Sequence, residues 1–294
     1  MEPSGIVELE HGVRRLVCPN PSPMTYRGTN TYLLGGDRLT VIDPGPDTPR
    51  TAEALRRAIG GAAVEAILVT HAHLDHSPLA GPLGRETGAP VLGFGPAEAG
   101  RSAVMQRLVT AGYEGGGEGV DRGFAPDRCL ADGETVRTAA GEIAVLHTPG
   151  HMGNHLCFGL GDAWFSGDLV MGWATSLVSP PDGDIAEFRT SCARLAERGP
   201  RVLYPGHGDP VTEPAARIDW LLAHRAERRV EVMAAVTAGH DRVEAITSAV
   251  YADVAPALWP AAARNVFAQL VELVEDGALV AEPALGPEAR YRPA

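Results

Sequence analysis

The sequence predicts an α/β protein in two parts, a sheet-rich layered unit over residues 1–213 and a mostly helical unit over residues 214–294. Three observations carry this. Short β-branched apolar runs alternate with Gly/Pro turns up to about residue 213, several of these runs lead straight into polar clusters, and from Pro214 the apolar spacing changes from strand-like to helical. The chain of 294 residues is long enough for one large domain or two smaller ones with a real core.

In chain order, residues 39–43, 64–70, 143–147, 163–166 and 202–204 read as buried strands, being short, apolar (Val, Ile and Leu in four of them, Trp and Phe in 163–166) and bounded by turn residues. Each leads into polar residues: Asp43-Pro44-Gly45, the segment 71–76, the segment 148–151, Gly167-Asp168 and Pro205-Gly206-His207. Strand-end loops are where α/β folds carry their chemistry. Between Gly95 and Pro126 a glycine-rich tract containing Gly115-Gly116-Gly117 has little strand signal and one helical stretch, 98–111, and reads as a flap. Beyond Pro214, Ile218, Leu221, Leu222, Val230, Val232, Met233 and Val236 recur at helical spacing. Two more helical patterns follow at 242–251 and 261–275, Gly277 stops the second, and 278–282 with 290–292 flank a Pro/Gly turn as a hairpin. Three helices followed by a hairpin is the order of a winged-helix unit.

All 25 basic residues are arginine and stand against 37 acidic ones, a net charge of -12, which disfavours strong nonspecific binding to duplex nucleic acid or anionic lipid. Residues 214–294 hold 8 arginines against 11 acidic residues, so the helical unit lacks the basic balance of a duplex-binding domain and reads as a wall of the cleft. No run approaches the ~20 apolar residues of a membrane span. The first residues lack a signal-peptide layout, so a cytoplasmic location is the expectation. Cys18, Cys129, Cys157 and Cys192 are scattered without a Cys-x-x-Cys pair and read as buried reduced thiols. Trp164, Trp173, Trp220 and Trp259 show no stacking pattern and read as core.

The chemistry concentrates in Thr70-His71-Ala72-His73-Leu74-Asp75-His76, three imidazoles and a carboxylate directly after an apolar strand. A lone histidine is usually a surface or satisfied core residue. Here His151, Asp168 and His207 follow, each beside a glycine at a strand end, so that five of the ten histidines and two aspartates would complete one binuclear site. Imidazole and carboxylate are the donors that borderline divalent metals accept.

This order, His-x-His-x-Asp-His and then a distant His, an Asp and a final His, resembles the metallo-β-lactamase superfamily. The resemblance implies an αββα sandwich, one metal held by His71, His73 and His151, a second by Asp75, His76 and His207, and Asp168 between them. Two divalent ions, zinc first with manganese or iron also suited, would share a water, lower its pKa and deliver hydroxide to an electrophile. Asp75 and Asp168 are the expected catalytic carboxylates, Asp75 as ligand, water-orienting group or proton shuttle.

Further segments narrow the branch: Asn20-Pro21, the segment 28–33, residues 41–45, Thr148-Pro149-Gly150-His151 with His155, and His224-Arg225. They resemble the β-lactamase-like protein 2 group, known for a zinc-dependent, single-strand-specific endoribonuclease, which also carries a winged-helix-like C-terminal domain. Met152, Asn154 and Ser77-Pro78 depart from the group's pattern beside the pocket. The resemblance implies cleavage of single-stranded RNA, with a thioester or lactone hydrolase of the glyoxalase II kind as the alternative. On the substrate side the candidates are Asn30, Tyr32 and His155, with Tyr26 and Arg27 beside them and His224 as an interdomain contact.

Overall fold

The computed structural model describes residues 5–115, 119–255 and 258–294. Two sheets lie face to face. The first has seven strands in sequence order: β1 (Ile6–Glu10), β2 (Val13–Val17), β3 (Asn30–Gly35), β4 (Arg38–Ile42), β5 (Ala63–Leu68), β6 (Val91–Gly93) and β7 (Arg128–Cys129). The second runs β12 (Val202–Pro205), β11 (Ala163–Gly167), β10 (Leu156–Leu160), β9 (Gly141–His147) and β8 (Thr135–Thr138).

The period of two along each strand builds four layers. Tyr32, Leu34, Ala66 and Leu68 point to the inner core, where they meet Val145, Phe158, Phe165 and Tyr204 of the other sheet. Their neighbours Leu33, Val41 and Ile67 point outward, under α1 (Pro49–Ile59) and α2 (Ala80–Thr87). Leu146, Trp164 and Leu203 likewise point out of the second sheet, onto α4 (Ile185–Ala196) and the first turns of α5 (Pro214–Thr237). Both faces of the central strands are therefore buried, which is why they appear in sequence as continuous apolar runs. This is the expected αββα sandwich. Of the strands that sequence reading passed over, β1 and β8 are sheet edges with exposed positions, β2 is an inner strand whose apolar run is broken by Arg14 and Arg15, and β10 is an inner strand with a glycine and a cysteine among its five residues.

Local chemistry sets the helix ends. Thr48 caps α1 by accepting from Thr51 N, with Pro49 in the first turn, and Asp184 caps α4 by accepting from Ala186 N and Glu187 N. The C-terminal unit consists of the second half of α5, α6 (Val243–Val250), α7 (Trp259–Glu275) and an antiparallel hairpin of β13 (Leu279–Glu282) and β14 (Arg290–Pro293), the winged-helix order.

Some expectations need correction. The tract 95–126 is not a free flap where it is described. Its helix α3 (Ala103–Thr110), shorter than the 98–111 stretch, buries Val104, Met105 and Leu108 in one cluster with Val232, Val236 and Phe267 of the C-terminal unit. Gly116 and Gly117 lie outside the described residues. Only Trp164 of the four tryptophans is buried. Trp173, Trp220 and Trp259 are exposed, and His224 stacks on Trp220 one turn away on its own helix instead of crossing to the other unit. Cys18, Cys157 and Cys192 are buried free thiols, whereas Cys129 on the edge strand β7 is exposed. No helix of the described residues is long and apolar enough to cross a membrane.

Candidate metal centre

The strand ends meet at one rim of the sandwich. Parallel pairing of β4 with β5, and of β11 with β12, brings the loop after β4 (Asp43), the loop after β5 (His71 to His76), and the ends of β11 (Asp168) and β12 (His207) to the same side. His151 arrives from the loop after β9. The sequence reading named five histidines and two aspartates, and the fold brings all seven together: His71, His73 and His151 form one group of donor atoms, Asp75, His76 and His207 another, and His71, His76 and Asp168 a third.

The donor atoms crowd one another. His71 Nε2 lies 3.0 Å and His151 Nε2 lies 3.1 Å from His73 Nδ1. In the second group His76 Nε2 is 3.3 Å from His207 Nε2, and Asp75 Oδ2 is 3.3 Å and 3.2 Å from those two nitrogens. Ligand nitrogens about 2.0–2.1 Å from a tetrahedral zinc stand roughly 3.3 Å apart, so these separations are the edges of coordination polyhedra. Asp168 lies between the groups, with Oδ2 3.7 Å from His151 Nε2 and 3.3 Å from His207 Nε2, and Oδ1 3.6 Å from His76 Nε2.

The far side of most rings is anchored, and the anchors fix which nitrogen is bare. His151 donates from Nδ1 to the Leu177 carbonyl at 2.7 Å, and His207 from Nδ1 to the Gly28 carbonyl at 3.2 Å. His76 donates from Nδ1 to Asp43 Oδ2 at 2.9 Å. Thr70 donates its hydroxyl to the same Asp43 oxygen at 2.6 Å, which leaves its own oxygen to accept from His71 Nδ1 at 2.9 Å. In each case Nε2 points inward, free to serve as the donor atom once a cation replaces any proton it carries.

Electrostatics divides the two groups. Burial, reinforced by the neighbouring imidazoles, holds His71 well below the usual histidine range and His73 at about 3, and burial lowers His151 against the pull of Asp168. These three rings are neutral donors. Around His76 and His207 burial again lowers the rings but is outweighed: Asp75, Asp168 and Asp43 raise His76 well above its ordinary value, while Asp168 and Asp75 raise His207 to about 9. The two carboxylates stay ionised because the imidazoles outweigh the burial that would raise them. Such a place demands positive charge. Asp168 Oδ1 is moreover buried with no hydrogen-bond partner, a costly state that a cation would relieve. The seven residues thus fit two divalent cations, and their nitrogen and oxygen donors suit zinc, manganese or iron alike.

Three substrate-side expectations fail because the side chains are fully buried. Asn30 donates from Nδ2 to the carbonyls of Pro205 and Gly208, and Tyr32 donates its hydroxyl to the Pro205 carbonyl, so both fasten β3 to the loop that carries His207. His155 accepts from Asp168 N at 3.2 Å and contacts Thr148 through Nδ1, so it orients the aspartate's backbone. Tyr26 is exposed and stacks on Trp173, and Arg27 pairs with Asp209.

Sequence reasoning missed Asp43, Thr70, Thr29 and Gly206 as parts of the site. Asp43, in the left-handed region at φ 49°, takes Thr70 N at 2.7 Å as well as the Thr70 hydroxyl and His76. Its left-handed backbone and its partners are set by the fold, so the local sequence carries no signal of this role. Thr29 donates its hydroxyl to Asp75 Oδ2 at 3.0 Å. Gly206 is obligatory by proximity, since a Cβ there would lie 2.2 Å from Asp168 Oδ1 and 2.7 Å from His76 Cε1.

Above the cluster opens a cavity of about 470 Å³ with His73, Asp75, His151, Asp168 and His207 at its base. Met24, Val120, Met171, Trp173 and Leu177 line one side. The C-terminal unit supplies the other through Tyr251, Val254, Leu258, Ala262 and Arg264.

Comparison with known proteins gives a consistent result. The sequence model of the Metallo-beta-lactamase superfamily matches residues 24–207, and that of the Beta-lactamase associated winged helix domain matches residues 243–284. A Beta-lactamase-like protein 2 homolog from Drosophila melanogaster is 31% identical over 286 residues, covering 93% of this chain and 91% of the relative. An atrochrysone carboxyl ACP thioesterase from Aspergillus novofumigatus is 25% identical over 239 residues, covering 79% of this chain and 65% of the relative. Among solved structures, a metallo-beta-lactamase family protein from Thermus thermophilus superposes with a TM-score of 0.77 at 26% identity, covering 98% of this chain and all of that one.

Proposed function

The chain belongs to the metallo-beta-lactamase superfamily and is a metal-dependent hydrolase, and we propose that its substrate is a thioester carrying an apolar acyl group. The observation that carries this reading is the cavity. Its volume of about 470 Å³ falls in the range of small-molecule sites, and its walls are mostly aliphatic and aromatic. A polynucleotide would need cations along its path, whereas Arg264 is the one arginine lining the cavity among the described residues. The similarity to a thioesterase agrees with this choice.

Divalent cations bound to the cluster supply Lewis acidity and an acidified water. The chain's own residues do the rest. The anchored imidazoles hold their lone pairs without reorganising, and the apolar walls exclude bulk water while orienting the acyl chain. Asp75, ionised, pinned by Thr29 and reaching the cavity, is placed to take a proton from the attacking water and hand it to the departing thiolate.

A second reading, cleavage of single-stranded RNA, draws on one observation. Tyr26 and Trp173 stack with ring centroids 5.0 Å apart, Trp173 lines the cavity, and the Arg27 guanidinium sits 5.0 Å over the Tyr26 ring, the makings of a base-stacking platform. The test sets zinc-loaded protein and His73→Ala against acyl thioesters from acetyl to bulky aromatic and against a labelled unstructured RNA. Expected is turnover of the apolar thioesters at least about ten-fold above the acetyl one, at the scale of a methylene or more of lost contact, and none by the variant. RNA cleavage by the parent without thioester turnover would overturn the reading in favour of the nuclease.

A further inference from the structure

The segment that begins at Asp168 runs through Trp173 to Ser179 without regular structure, and α5 together with α7 of the C-terminal unit sets its course. Arg217 of α5 donates from Nε to the Met171 carbonyl at 2.7 Å and from Nη2 to the Ala174 carbonyl at 2.6 Å. Two turns on, Arg225 donates from Nη2 to the Ser176 carbonyl. Asn265 of α7 accepts from Val178 N at 3.1 Å, and the same Oδ1 accepts from Arg225 Nη1 at 3.3 Å. These four hydrogen bonds from α5 and α7 all reach the segment's main chain, so they fix its path.

Between Ser176 and Val178 lies Leu177, whose carbonyl is the acceptor that holds His151 Nδ1 at 2.7 Å. Ser176 in turn donates its hydroxyl to the Leu169 carbonyl at 3.0 Å, which ties the clamped end back to the residue after Asp168. Arg225 is 2% exposed. A buried guanidinium is expensive, and an apolar side chain of similar volume would commonly stabilise a core at least as well. Its guanidinium holds the Ser176 carbonyl and the Asn265 Oδ1 that accepts from Val178 N, so it keeps the two sides of Leu177 in register.

We propose that Asn265, with Arg225 behind it, is a positioning residue for the metal centre: the winged-helix unit holds the Leu177 carbonyl where it aims His151. The inference rests on the metal-centre reading of the histidine and aspartate cluster. It gives the C-terminal unit a role at the reaction centre in addition to forming a wall of the cavity.

The test uses the full chain in four forms: parent, Asn265→Ala, Asn265→Asp and Val266→Ala. Zinc affinity is read by chelator competition, and the absorption of the cobalt(II)-substituted protein reports the ligand field without any substrate. Removing the acceptor should weaken uptake of one metal equivalent by about ten- to a hundred-fold and perturb the cobalt bands, the scale typical of losing a ligand's hydrogen-bond partner. Asn265→Asp keeps the acceptor oxygen beside Arg225 and should restore parent-like affinity. Val266→Ala disturbs the buried core of the same helix without touching the segment, and should leave both metals in place. Parent-like zinc binding by Asn265→Ala overturns the proposal, as does an equal loss in Val266→Ala. A parent that takes up no metal overturns this proposal and the metal-centre reading together. If Asn265→Ala does not fold, Arg217→Ala, which removes two bonds from the same segment, decides the matter by the same affinities, and parent-like binding there overturns the proposal.

Discussion

Replacing Asp43 by Asn changes one atom pair in the site and leaves the shape alone. Asn tolerates the left-handed backbone at φ 49° as well as Asp does, so the turn after β4 should survive. Of the three hydrogen bonds into the carboxylate, Thr70 N to Oδ1 at 2.7 Å persists on the amide oxygen, and the Thr70 hydroxyl contact at 2.6 Å can reverse, the amide donating to the hydroxyl oxygen. The third cannot persist. An amide NH₂ facing His76 Nδ1–H sets two donors at 2.9 Å, so the ring must shift its proton to Nε2, the nitrogen that faces His207 and Asp75. Thr70 also changes role, because a hydroxyl that accepts from the new amide has its proton free to meet His71 Nδ1. The expected result is about ten- to a hundred-fold weaker binding of the metal at Asp75, His76 and His207, or about 1.4–2.7 kcal/mol. Chelator competition on parent and variant measures it, with melting in EDTA as the control for folding. Two zinc ions bound at parent affinity by a folded Asp43→Asn protein would refute the tautomer argument.

Two more outcomes follow from particular atoms. Gly206→Ala should fold but lose at least about a hundred-fold in turnover, since the new Cβ must displace Asp168 Oδ1 or the His76 ring, and a 1 Å misplacement is enough for that loss; steady-state rates at saturating zinc check it. Glu187, whose carboxyl is raised to about 7 by burial and by neighbouring Asp184, is an acid with a folded pKa above its unfolded one. The unfolded chain therefore releases this proton first, and the folded state loses stability as pH rises from about 4.5 to 7. Glu187→Gln removes that loss, so urea midpoints of the variant should gain on the parent between pH 4.5 and pH 8, and an unchanged difference would count against the buried environment.

The metal set was legible because its residues are close in sequence or flagged by strand-end glycines, and because imidazole and carboxylate reveal their chemistry by type. The central strands were legible for a similar reason, since burial on both faces leaves apolar runs at residues 64–68 and 143–147. What sequence could not show is where a buried side chain turns. Asn30 and Tyr32 sit beside the pocket in sequence, yet their polar ends spend themselves on the carbonyls of Pro205 and Gly208. Asp43 was noticed as part of a turn, but its partner His76 lies 33 residues away and no local pattern announces it. The cavity's second wall depends on packing between units, which explains why Trp173 was assigned to the core when it is exposed beside the cavity.

The helix α5 belongs to two cores at once. Its first turns bury Ile218 and Leu221 against Phe188 and Leu203, and its last turns bury Val232 and Val236 with Phe267. With 24 residues it is about 36 Å long, a single beam through both halves. A protein shortened to residues 1–213, the point where the composition changes, would lose two of the side chains that seal the outer face of its second sheet, together with Arg217 and Arg225. The catalytic half is therefore not a detachable cassette. Shuffling it onto another C-terminal partner requires that the graft begin after the first turns of this helix, with Ile218, Leu221 and both arginines retained.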